Sequence, residues 1–153
     1  MKISSPKRFR NESIRAQFWN YSWPGAYFIT ICTKNRNHWF GELKNRTVLL
    51  SEVGNIVHDE WLKTPYIRPD MNLDPGEFII MPDHFHAIII IGKNKYNLRN
   101  VVHRVPTAFG PQRKNLASIV RGFKSAVTIR TRKFIPEFAW QPLFHDRIIR
   151  DRK

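Results

Sequence analysis

The alternation and clustering of apolar positions divide the chain into short strands and two amphipathic helices. Residues 26–33 (AYFITICT) are rich in β-branched and aromatic side chains and read as a strand. The polar residues 34–37 predict a turn, and a short second strand segment is expected at 48–50. Over 51–63 the period changes. Val53, Ile56, Val57 and Trp61 share one helical face, Ser51 suits the N-cap and Glu52 suits the first turn. Thr64-Pro65 is expected to end this helix, because proline brings no N–H to the next turn. Residues 77–81 and 84–91 read as two strands joined at Pro82-Asp83, a tight-turn pair. The second of them is apolar on both faces after its start, which predicts a central place in a sheet. Residues 92–114 are polar and basic, a stretch long enough to be functional or disordered. Asn115 then caps a helix over 116–133, with Leu116, Ile119, Val120, Phe123 and Val127 as its buried stripe. Residues 144–150 (FHDRIIR) read as a last strand.

The order βαββαβ predicts an α+β, ferredoxin-like domain, an antiparallel sheet with helices on one face. Residues 1–24 form a basic arm ending in the aromatic knot Phe18, Trp19, Tyr21 and Trp23; residues 25–153 form a single domain. Apolar residues make up 42% of the 153, enough for a real core. Lys and Arg number 26 against 12 acids, a net charge of +14 that no fold requires. Such an excess favours a polyanionic partner, nucleic acid first and an anionic membrane surface second. The single cysteine, Cys32, excludes an intramolecular disulfide and a Cys-rich zinc site. No apolar signal segment is visible at the N-terminus, and the longest apolar run, around Ile88–Ile91, is far too short to span a bilayer. A cytoplasmic protein without a membrane partner is expected.

The sharpest chemical feature is His84-Phe85-His86. Strand side chains alternate, so the two imidazoles face one way and Phe85 the other. Spacing alone also fits ordinary surface histidines, but a polar pair beside Ile88–Ile91 needs a reason. No thiolate or second histidine pair completes a zinc site, and imidazoles with oxygen ligands and open positions suit Mn²⁺ or Mg²⁺ acting on phosphate. Candidate DNA contacts are Arg121 and Lys124, which share a helix face with Arg132, and Lys93, Lys95, Arg99 and Arg104 in the basic stretch. Trp19 and Trp23 are candidates for stacking on bases or for packing.

Five motifs lie in a fixed order: SIRAQFWNYSWPGAYFITICTKNR with a following FGE, DEWLKTP, FIIMPDHFHAIIII, SIVRGFKSAV and WQPLFHDRIIRD. Together they cover nearly the whole chain and resemble the HUH single-tyrosine transposases, in particular the insertion-sequence type and the REP-associated tyrosine transposases. The resemblance implies that His84 and His86 hold a divalent metal at the scissile phosphate. It implies that a tyrosine forms a 5′-phosphotyrosine link, that the substrate is single-stranded hairpin DNA, and that the protein is a homodimer. In that family the tyrosine lies on a helix after the last strand, whereas this sequence ends at Lys153, so the nucleophile is expected beyond it. The four tyrosines present are Tyr21, Tyr27, Tyr66 and Tyr96, and only Tyr96, in the basic stretch, is expected to have freedom to move. Arg147 stands where relatives often carry histidine and is a candidate phosphate contact. The alternative to a DNA-cleaving and DNA-joining transposase is a remnant that binds DNA without chemistry.

Overall fold

The computed structural model describes residues 19–98 and 114–150. Its strands are β1 (Gly25–Cys32), β2 (Gly41–Lys44), β3 (Thr47–Leu50), β4 (Leu73–Ile80), β5 (His84–Ile91) and β6 (His145–Ile149). Its helices are α1 (Glu52–Ile67) and α2 (Leu116–Thr131). The main sheet is antiparallel with order β4-β5-β1-β6, the ferredoxin-like arrangement that the βαββαβ pattern predicts. β5 is central, as expected for its apolar run.

Alternation along the strands decides which residues form the core. Tyr27, Ile29 and Ile31 of β1 and Phe85, Ala87, Ile89 and Ile91 of β5 are buried against the helices. α1 covers them with Val53, Ile56, Val57 and Trp61, and α2 with Leu116, Ile119, Val120, Phe123 and Val127. At the centre, Trp61, Phe85 and Phe123 meet with ring centroids 5.1, 5.3 and 5.4 Å apart. Offset and edge contacts of this kind add to the area each ring buries. Between the helices Arg130 donates to the buried carboxylate of Glu60 at 2.8 Å.

Both helix starts follow the sequence. The Ser51 hydroxyl accepts from the Gly54 N–H, and Asn115 and Ser118 form a reciprocal capping box. The end of α1 does not: the helix runs on to Ile67 with Pro65 inside it. Pro65 removes only one helical N–H, Arg68 N–H still reaches the Thr64 carbonyl, and buried Thr64 keeps this turn on the core. β4 likewise begins earlier than residue 77, at Leu73. It tolerates Pro75 because it is an edge strand with a register shift between Pro75 and Phe78. The short strand seen at 48–50 belongs to a hairpin. Its partner β2 is brief and polar, and Asn45 and Arg46 turn it with φ of 50° and 64°, both left-handed. A Cβ at Gly41 would lie on the Leu49 carbonyl oxygen, so glycine is required there.

The opposite face of the sheet is different. Phe28, Ile79 and Ile90 point away from the helices and are 36%, 52% and 39% exposed. Among the described residues no helix covers this face.

Candidate metal centre

The turn Pro82-Asp83 sets the site. Met81 N–H donates to the His84 carbonyl, closing the turn. Its backbone is gripped from outside, because the Phe40 and Thr33 N–H groups donate to the carbonyls of Pro82 and Asp83. The β1–β5 register then opposes Cys32 to His84 and Thr30 to His86. With Phe85 buried among the helix aromatics, both histidines stand on the open face, ring centroids 4.6 Å apart.

Each ring has one nitrogen already engaged. His84 Nδ1 lies 2.6 Å from Asp83 Oδ1, and a carboxylate only accepts, so the proton of that bond sits on Nδ1. His86 Nδ1 lies 2.8 Å from the Thr30 hydroxyl. Phe28 stacks on the His86 ring at 5.4 Å. These contacts fix both rings and direct the Nε2 atoms away from their anchors; among the described residues neither Nε2 has a partner. Imidazole metal ligands have this form, with one nitrogen held by a carboxylate or hydroxyl and the other presenting its lone pair. Burial, followed by the nearby His84 and Arg36, pushes the His86 pKa below the usual histidine range, which keeps it neutral as a ligand must be. Burial raises the Asp83 pKa, but hydrogen bonds from His84 and Arg36 outweigh it and hold this carboxylate low. Among the described residues no third His, Cys, Asp or Glu joins the pair in a metal-holding group. The pair therefore offers two nitrogen ligands and leaves the other positions open.

Arg36 and Asp83 complete the cluster. Arg36 Nε donates to Asp83 Oδ2 at 2.8 Å, and its NH1 lies 3.2 Å from Cys32 Sγ. Asp83 was recognisable as a neighbour but not its direction. Thr30 and Phe28 gave no signal of their own, because only the strand register brings them to the pair, and Arg36 gave none because the turn after β1 folds it back onto Asp83. Arg147 also projects from the open face, opposite Phe28 on β6.

The expected DNA contacts lie elsewhere. Arg121 is exposed on α2, behind the sheet. The Lys124 ammonium donates to the carbonyls of Gln141 and Leu143 at 3.0 and 2.9 Å, and burial pushes its pKa down. It clamps the segment leading into β6, as Arg132 does through the Phe138 carbonyl. Lys93 and Lys95 are exposed beyond the far end of β5, while Arg99 and Arg104 fall outside the described residues. Trp19 is tied to packing: its indole N–H donates to the Tyr27 hydroxyl and its ring meets Trp23 edge-on.

The tyrosines correct one expectation. Tyr96 is not free, since its hydroxyl donates to Asp70 at 2.6 Å and Lys114 lies over its ring. Tyr27 is buried on the helix side, Tyr21 packs against it, and Tyr66 is exposed at the end of α1. None of the four stands beside the histidine pair.

No established protein-family profile matches the sequence. An uncharacterized protein of Haemophilus influenzae is 39% identical over 145 residues, covering 92% of this chain and 79% of the relative. Among solved structures, a REP-associated tyrosine transposase bound to a REP hairpin superposes with a TM-score of 0.54 at 17% identity, over 88% of this chain. The chain spans 61% of that protein's length. A Deinococcus radiodurans protein assigned as a transposase gives a TM-score of 0.50 at 16% identity, over 90% of this chain and 86% of that one. At these identities the likeness establishes a transposase-like fold.

Proposed function

The chain belongs to the family of the Haemophilus influenzae protein and has a transposase-like fold, and from these premises we propose that it is the body of a DNA transposase. In this reading it binds single-stranded hairpin DNA and cleaves and rejoins it by metal-assisted transesterification. The observation that carries the reading is the pair His84 and His86, each with Nδ1 engaged and Nε2 directed outward on the open sheet face. The hairpin-bound state of the REP-associated transposase supports the choice of DNA substrate. The net charge of +14 supports it independently, since each phosphate neutralised releases counterions.

His84 and His86 would hold Mn²⁺ or Mg²⁺. When bound, such an ion supplies Lewis acidity at a phosphate oxygen and offsets its developing charge. Asp83 holds His84 with its proton on Nδ1, Thr30 anchors the orientation of the His86 ring, and Phe28 shields one face of that ring from water. A tyrosine hydroxyl attacks phosphorus, the bond to the 3′-oxygen breaks, and a 5′-phosphotyrosine and a free 3′-hydroxyl result. Attack by another 3′-hydroxyl reverses the step at a new junction, so no external energy is needed. The reading includes a homodimer.

One observation favours a second reading. Because none of the four tyrosines stands at the pair, the attacking hydroxyl would have to come from outside the arrangement of the described residues. A chain that binds hairpin DNA without chemistry needs no such group. Incubating the protein with Mn²⁺ and hairpin-bearing strands from the flanks of its gene separates the two on a denaturing gel. The transposase reading predicts a covalent protein–DNA band that disappears in His84→Ala. Retention on a native gel with no covalent band would establish the binding module, and loss of both would contradict either reading.

A further inference from the structure

The turn after β1 carries a feature that the histidine pair does not require. Asn35 and Arg36 both have left-handed backbones, with φ of 55° and 54°. Asparagine adopts this conformation readily, but for arginine its Cβ makes it strained. The strain is held in place by its surroundings. The Thr33 hydroxyl donates to the Asn37 carbonyl at 2.7 Å, and the Lys34 N–H donates to the Ala139 carbonyl at 3.0 Å. The result folds the Arg36 guanidinium back over the end of β1, where Nε meets Asp83 at 2.8 Å and NH2 lies 3.5 Å from His84 Nδ1.

Stability does not explain the arrangement. The Arg36 side chain is 54% exposed, and an ion pair at such a site contributes little to stability, no more than the strain removes. Asp83 already has His84 as a partner. Arginine has five N–H donors. One goes to Asp83 and one to Cys32; NH2 lies against His84 Nδ1, which cannot accept because its own proton goes to Asp83, so the remaining N–H groups of this half-exposed side chain have no acceptor among the described residues. A planar donor set of fixed orientation, next to a pair that faces the same solvent, matches phosphate oxygens.

We propose that Arg36 is a phosphate-binding residue of this face, its free N–H groups taking a non-bridging oxygen of a DNA phosphate lying over His84 and His86. Asp83 is its positioning residue. The inference rests on the DNA-binding reading above and names a contact within it.

Labelled oligothymidine, titrated in a chelator across a potassium chloride series, tests the contact without any metal. The parent binds, and R36Q binds roughly tenfold more weakly, as loss of a charged hydrogen bond implies. Its plot of log affinity against log salt also becomes shallower by about 0.7, the value for one single-strand phosphate contact. R36K retains the charge and the parental slope but loses the fork, so its affinity falls several-fold; it carries the test if R36Q does not fold. A merely structural role would leave the slope of R36Q unchanged. Parental affinity and slope in R36Q, or parental affinity in R36K, would overturn the assignment of Arg36 while leaving the DNA-binding reading intact. A parent that does not bind the strand would overturn the assignment of Arg36, and failure to bind hairpin-bearing strands as well would overturn the DNA-binding reading.

Discussion

Asp83 holds two groups with one carboxylate, Oδ1 on His84 and Oδ2 on Arg36. Removing its charge should disturb the site more than the fold. We expect Asp83→Asn to weaken Mn²⁺ binding about 10- to 100-fold by isothermal titration, the usual effect of losing a ligand's outer partner. The pH dependence follows from His86, whose pKa is lowered by burial and then by neighbouring charge. The unfolded chain thus binds more protons at this residue than the folded one. Stability from it is complete above the ordinary histidine value of about 6.5 and is lost as pH falls below that value. Mn²⁺ affinity should accordingly be flat above neutral pH and decline in acid; affinity that rises on acidification would contradict a neutral His86 ligand. The histidines themselves were legible, because period-two alternation puts residues 84 and 86 on one side. Their partners were not. Thr30 and Phe28 lie more than 50 positions away and are assigned only by the β1–β5 register.

The strand β5 separates two environments along its length, and Phe85 fastens it to both helices through Trp61 and Phe123. Phe85→Ala should destabilise the fold by about 3–5 kcal/mol in denaturant unfolding, since it leaves a cavity where no neighbour can collapse freely. A loss below about 1 kcal/mol would mean that this aromatic cluster does not hold the sheet to the helices. Around the start of the basic stretch, Asp70 accepts from Tyr96 and from Lys114, and these bonds, Lys114 first, lower its pKa to about 2. Carboxyl titration by NMR should place its midpoint there. The stability it contributes is present above the unfolded carboxylate value of about 3.9 and disappears as pH falls through about 2. At this scale the buried stripes of α1 and α2 and both N-caps were readable, because burial imposes a helical period and caps have few chemical solutions. Pro65 and Pro75 misled the boundaries, because proline's local preference yields when only one N–H is lost in a last turn or at a strand edge. The basic face of α2 was legible as charge but not as structure: Lys124 and Arg132 find backbone carbonyls on a segment far along the chain.

The molecule as a whole is asymmetric across its sheet. One side is a helix-covered core, and the other presents histidines, Arg36, Arg147 and exposed Phe28, Ile79 and Ile90. The sequence order alone predicted that topology, since βαββαβ allows few right-handed ways to cover one face. No helix among the described residues is long and apolar enough to cross a membrane. The functional account depends on the open face gaining a metal at His84 and His86, so Mn²⁺ binding followed by electron paramagnetic resonance is its most direct test. The account predicts that the parent protein takes up Mn²⁺ and that this uptake is lost when both histidines become alanine, with the thermal melt unchanged. Equal Mn²⁺ binding by the parent and the double variant would contradict it.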